Sequence, residues 1–135
     1  MKRFSLFFLV ISVSLVLTAC GGESPENNWV LEKSRVGDLP EVENYVAGLQ
    51  NNPDTRGFKV FTISEGKKMV VVSTGNADKS LELDDVVVDS GDTKIIIDEM
   101  EKKNEEDTPY IMIGLGAIKG ELFVQSTDEN GFDEL

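Results

Sequence analysis

Phe58-Lys59-Val60-Phe61-Thr62-Ile63, Ser64-Glu65-Gly66-Lys67 and Lys68-Met69-Val70-Val71-Val72-Ser73 follow one another without interruption. The outer two segments are rich in β-branched and aromatic side chains, and the period of the chain here is two. The middle four residues are polar or small and include a glycine. That combination predicts a β-hairpin, two strands joined by a turn. Met69 to Val72 is apolar at every position, so this strand is expected to be buried on both faces.

The same pattern continues downstream. Thr74-Gly75-Asn76-Ala77-Asp78 reads as a loop, and Leu81-Glu82-Leu83-Asp84-Asp85-Val86-Val87-Val88 as a third strand. Asp89-Ser90-Gly91-Asp92 is a turn, and 93–100 returns as a fourth strand. Residues 101–107 form a charged tip. Tyr110-Ile111-Met112-Ile113-Gly114-Leu115 is the fifth strand and 118–124 the sixth. Asp128-Glu129-Asn130-Gly131 is a terminal turn after which Phe132 is placed to pack back.

Upstream, Trp29-Val30-Leu31 opens the folded part as a short strand expected to run through Val36. Trp29, the single tryptophan, reads as a packing residue, with ligand stacking as the alternative. Gly37-Asp38-Leu39-Pro40 is helix-start chemistry, an acidic residue and then a proline for the first turn. Val42, Tyr45, Val46 and Leu49 then recur at helical spacing, which predicts a helix over 41–50 lying across a sheet. Asn51-Asn52-Pro53 ends it. The whole reads as mainly β, α+β at the margin: an antiparallel β-sandwich or open barrel of about six or seven strands with one short N-terminal helix.

Three stretches together resemble the C-terminal domain of the PrcB protease-complex subunit family. They are Val70-Val71-Val72-Ser73-Thr74-Gly75, Leu81-Glu82-Leu83-Asp84-Asp85-Val86 and Thr108-Pro109-Tyr110-Ile111-Met112-Ile113. The shared pattern is a valine-rich strand ending in glycine, a second strand, a hairpin, and a late Pro-Tyr opening an apolar strand. It spans 67–124. Where that family carries Thr-Gly-Gly-Tyr before its second strand, this chain has Asp78-Lys79-Ser80-Leu81. The resemblance implies a non-catalytic β domain that partners another extracytoplasmic protein.

The N-terminus carries an address. Lys2 and Arg3 precede an apolar run from Phe4 to Val16, the layout of a secretory signal peptide. The run is shorter than the roughly 20 residues a spanning helix needs. It closes on Leu17-Thr18-Ala19-Cys20, which resembles the bacterial lipobox and holds the only cysteine. That resemblance implies cleavage before Cys20 and transfer of a diacylglycerol to its thiol. Two acyl chains give stable attachment where one gives only reversible binding. The expected organisation is a signal peptide over 1–19, a lipidated Cys20 with a flexible tether over 20–28, and one β-rich domain over 29–135. The expected location is the extracytoplasmic face of a bacterial cell membrane.

Composition narrows the chemistry. The chain has 25 acidic and 13 basic residues and a net charge of −12. Loss of Lys2 and Arg3 with the leader would take the mature domain to −14. Such a charge repels nucleic acid, and a broad partner patch would be basic. There is no histidine. Histidine-based triads and the usual zinc sites are therefore excluded, and with Cys20 acylated no thiol remains for a disulfide.

The remaining candidates are few. Asp84, Asp85, Asp89, Asp92, Asp98 and Glu99 crowd one hairpin, where carboxylates serve acid–base work or bind calcium. They lack the alternating spacing of a calcium loop, and a solvated acidic face is the plainer reading. Gly114-Leu115-Gly116 and Gly120 lack the third glycine of a phosphate loop and read as bulges or a turn. Ser73 or Ser80 with Lys79 is a bare Ser/Lys possibility. The sequence thus predicts a monomeric, non-catalytic accessory lipoprotein without cofactor or metal, bound to the membrane through Cys20 and modulating another envelope protein. The alternatives are a small-ligand or divalent-cation binder using the acidic hairpin, and a carboxylate-dependent envelope hydrolase.

Overall fold

A computed structural model describes residues 28–103 and 105–135. The signal segment, Cys20 and nearly all of the tether lie outside the described residues. The strands are β1 (Asn28–Val30), β2 (Arg56–Thr62), β3 (Lys68–Thr74), β4 (Ser80–Asp89), β5 (Asp92–Met100), β6 (Tyr110–Leu115), β7 (Leu122–Ser126) and β8 (Gly131–Phe132). Among the described residues one α-helix, α1 (Pro40–Gln50), precedes β2. The strands form two four-stranded sheets, ordered β1-β6-β3-β2 and β4-β5-β7-β8. Of the two architectures the sequence admits, the protein adopts the sandwich.

β3 shows why a continuously apolar strand forms here. Adjacent residues point to opposite faces, so Val70 and Val72 enter the core between the sheets. Met69 and Val71 enter a second core beneath the helix. All four are essentially inaccessible to solvent. β6 behaves the same way, sending Ile111 and Ile113 inward and Tyr110 and Met112 to the helix side. The helix contributes Val42, Val46 and Leu49, all buried, with Tyr45 packed at the margin. Pro40 at the first turn and Glu41 and Glu43 beside the helix N-terminus set where α1 begins.

Side-chain clamps fix the helix on its sheet. Gln50 Nε2 donates to the Thr108 carbonyl at 3.0 Å, and the Thr108 N–H donates back to Gln50 Oε1 at 3.1 Å. The buried Thr108 hydroxyl donates to the Leu49 carbonyl at 2.6 Å. The last turn of α1 is thereby joined to the residue two before β6. The Leu49 carbonyl, one of the helix-end acceptors, takes this bond in addition to the Asn52 N–H at 2.9 Å.

Several expectations need correction. The strand predicted over 29–36 ends at Val30, and Lys33–Asp38 forms a 3-10 turn instead. Glu32, Lys33, Ser34 and Arg35 offer no alternation for a sheet to bury. Asn28, read as the last tether residue, already belongs to β1, opposite Leu115. The sixth predicted strand begins at Leu122 rather than 118. Gly120 has φ +62°, outside the strand region. The Thr93 hydroxyl also ties down residue 119, donating to the Lys119 carbonyl and accepting its N–H, each at 2.8 Å.

Pairing between these strands is antiparallel except between β5 and β7, which run parallel, and an isolated parallel bridge joins Phe58 to Glu134. The chain leaves the second sheet after β5, makes β6 in the first, and returns in its original direction. Phe132 does pack back, at 5% exposure, within the inter-sheet core.

Candidate functional site

The two long sides of the sandwich differ. On one side the C-terminal residues bridge the sheets. The Phe58 N–H of β2 donates to the Asp133 carbonyl at 2.9 Å, and the Leu135 N–H donates to the Phe58 carbonyl at 2.8 Å. On the other side lie the edge strands β1 and β4, and among the described residues no backbone hydrogen bond joins them. A cleft of about 430 Å³ lies between them. Val30, Leu31, Leu81, Leu83 and Ile111 supply its apolar walls, with Glu32, Lys33 and Glu82 at its margin. Val30 is 47% exposed, one of three large apolar side chains left to solvent among the described residues.

The backbone of β4 is part of this cleft. The Ile97 carbonyl accepts the Thr127 N–H at 2.9 Å, so Ile97 turns its backbone groups toward β7. Leu83 is paired with Ile97. In an antiparallel pair of that type both residues turn their N–H and C=O away from each other. Leu83 therefore presents its N–H and C=O at the open edge, and Leu81, two residues earlier, does the same. A register shift between Leu83 and Asp85 interrupts the strand. Beyond it, the Val86 N–H is taken by Asp85 Oδ1 at 2.9 Å. The first outward amide beyond the bulge is thus already capped by a neighbouring side chain.

Lys33 fixes one end of the cleft. It pairs with Glu106 and lies 4.5 Å from the centre of the Tyr110 ring. Burial pushes the Tyr110 phenol up to about 12, and the Glu106 carboxylate adds to the shift. The phenol is consequently neutral at physiological pH, a hydrogen-bonding group rather than a nucleophile.

The acidic hairpin of the sequence analysis is β4 and β5, but its carboxylates do not converge. Glu99 turns toward the core and pairs with Arg56 at 2.8 Å. That guanidinium lies 3.9 Å from the centre of the Phe132 ring. Asp92 Oδ1 accepts the Glu121 N–H at 2.9 Å. Asp85 caps Val86, and Asp89 accepts the Ser90 hydroxyl at 3.4 Å. Among the described residues no three acidic side chains are grouped as a metal site. The Ser/Lys candidates are likewise apart: Ser73 donates to Gly57, Ser80 to Lys102, and Lys79 pairs with Glu101.

Trp29 packs in the helix-side core. Its indole lies over Gly114, where a Cβ would overlap the ring. Gly114 is thus needed for a close approach within a regular strand and marks no bulge. Cys20 lies outside the described residues. Sequence reasoning missed the cleft, because an open edge is a property of strand order. The signal that was available is the alternation of Leu81 and Leu83 with Glu82 and Asp84.

The described residues form a small helix-backed β-sandwich with a cleft along its β1–β4 side. No family model matches the chain, and no solved structure matches it. It is 41% identical over 136 residues to "Uncharacterized protein YycS" of Bacillus subtilis (strain 168), covering 98% of this chain and 96% of that protein. The chain belongs to the YycS family. Among the described residues no helix is long and apolar enough to cross a membrane.

Proposed function

We propose that the chain is a lipid-anchored extracytoplasmic protein whose sandwich is a non-catalytic binding module for another envelope protein. The observation that carries this reading is the open cleft, walled by apolar side chains and by outward backbone of β4 that pairs with none of the described residues. Backbone edges and apolar walls recognise polypeptide, whereas catalysis requires titratable groups brought to one place. The carboxylates of Asp85, Asp92 and Glu99 are each engaged by a neighbour, which supports binding over the acidic-hairpin alternatives. The lipobox-like Leu17-Thr18-Ala19-Cys20 supports the anchor.

The test is fractionation of cells expressing the wild-type chain or Cys20→Ser. The wild type should sediment with membranes and leave them only with detergent. Cys20→Ser should lose lipid labelling and leave the membrane fraction wherever the leader is cut. A leader-cleaved Cys20→Ser chain that stays membrane-bound would overturn the anchor.

A further inference from the structure

We infer that the cleft between β1 and β4 takes an extended segment of a partner protein, which adds to β4 as a further strand and alternates apolar with basic residues. This rests on the reading of the chain as a binding module and names the chemistry of its partner. Three features of the edge specify the occupant.

The first is the pair of outward N–H and C=O groups of Leu81 and Leu83. They sit two residues apart on one edge, the spacing at which an incoming strand completes a ladder. The Asp85 cap on Val86 removes the first outward amide beyond the bulge from this offer. A helix has no spare backbone groups to meet it. An extended chain does.

The second is the side-chain alternation. Leu81 and Leu83 pack against the inter-sheet core and line the cleft. Partner residues bonded directly to them place their side chains on the same face, into the cleft, and are therefore apolar. The intervening partner residues project to the opposite face beside Glu82 and Asp84, both exposed. Opposite charges paired across neighbouring strands are favourable and like charges are not. The intervening residues are therefore lysine or arginine, in keeping with the net charge of −12.

The third is the contrast with the other side of the sandwich. There the chain's own C-terminus supplies the bridging segment, pairing with β7 through Phe132 and with β2 through Phe58. The β1–β4 side has the same two-sheet architecture and, among the described residues, lacks such a bridge. The partner segment takes on one side the place that residues 131–135 take on the other.

The probes are short synthetic peptides added to the detergent-solubilised full chain. One alternates lysine and valine, one alternates glutamate and valine, and one is the lysine–valine peptide methylated on its valine nitrogens. The lysine–valine peptide should bind about tenfold or more tighter than either of the others. At saturation, hydrogen exchange should slow at the Leu81 and Leu83 amides, while the already capped Val86 amide changes little. Glu82→Lys, an exposed change outside the core, should weaken the lysine–valine peptide and strengthen the glutamate–valine one. Equal binding of the methylated peptide, unprotected Leu81 and Leu83 amides, or no binding at all would overturn the inference.

A second arm separates this inference from the reading beneath it. Photo-crosslinkers are placed at position 82 and at position 123, where Phe123 is 43% exposed on the second sheet. If the peptides fail while position 123 captures an envelope protein in intact cells, the cleft assignment falls and the binding reading stands. If neither position captures a protein, the binding reading falls too.

Discussion

Leu49→Ala tests whether the helix is held by the sheet. Leu49 is 4% exposed and sits with Val42, Val46, Met69, Val71, Tyr110 and Met112. The substitution removes three carbons, worth about 2–2.5 kcal/mol at roughly 0.8 kcal/mol per buried methylene. A residual cavity adds about 24 cal/mol per Å³. Leu49 also borders a surface cleft with Asn44, Tyr45, Gly48 and Asn52, so part of the gap can collapse or fill with water. We therefore expect a cavity contribution of about 0.5–1 kcal/mol and a total loss of about 3 kcal/mol. For a domain of this size that lowers Tm by about 10 °C. Urea denaturation followed by tryptophan emission is the assay, because Trp29 packs in the same cluster. Asn44→Ala, exposed on the same helix, should cost less than about 0.5 kcal/mol. A loss below about 1 kcal/mol for Leu49→Ala would mean that α1 is not held by this core.

Other substitutions probe the remaining contacts. Gly114→Val should force the Trp29 indole from its seat, costing about 1–3 kcal/mol by overpacking; a red-shifted emission should accompany the loss, and an unchanged spectrum would contradict the packing. Arg56→Ala leaves the Glu99 carboxylate without its cation and uncovers Phe132, so it should destabilise the fold; Glu99→Gln added to it should recover part of the loss. The Tyr110 phenol, raised to about 12, binds its proton more tightly in the folded than in the unfolded chain. The stability it contributes is complete below the usual pKa of 10 and is lost as pH rises from there toward 12. Tyr110→Phe should flatten that stretch of the stability–pH curve, and tyrosinate absorbance centred on 10 in the intact fold would contradict the shift.

The parts of the fold legible in the sequence are those set by local pattern. The unbroken apolar run at Met69–Val72 correctly implies a strand covered on both faces, and the spacing of Val42, Val46 and Leu49 correctly implies a helix laid on a sheet. What fails is set by tertiary partners. Nothing near residue 118 announces that Thr93 will hold Lys119 in a loop, so the start of β7 is misplaced. Gly114 reads as a bulge until Trp29, 85 residues earlier in the chain, is seen to lie over it. The cluster of aspartates looks like a site because sequence proximity hides which face each residue takes. Burial separates them: Glu99 turns inward to Arg56 while Asp84 and Asp85 stay outside. The cleft depends on β1 and β4 being edges of different sheets, and no local pattern encodes that.

The lipid anchor places the proposed binding module at the membrane, and intact mass spectrometry of the chain extracted from membranes tests it most directly. The proposal predicts a polypeptide beginning at Cys20, 116 residues long, carrying the added mass of a diacylglycerol on that residue. A chain retaining residues 1–19, or one beginning elsewhere with an unmodified Cys20, would contradict it.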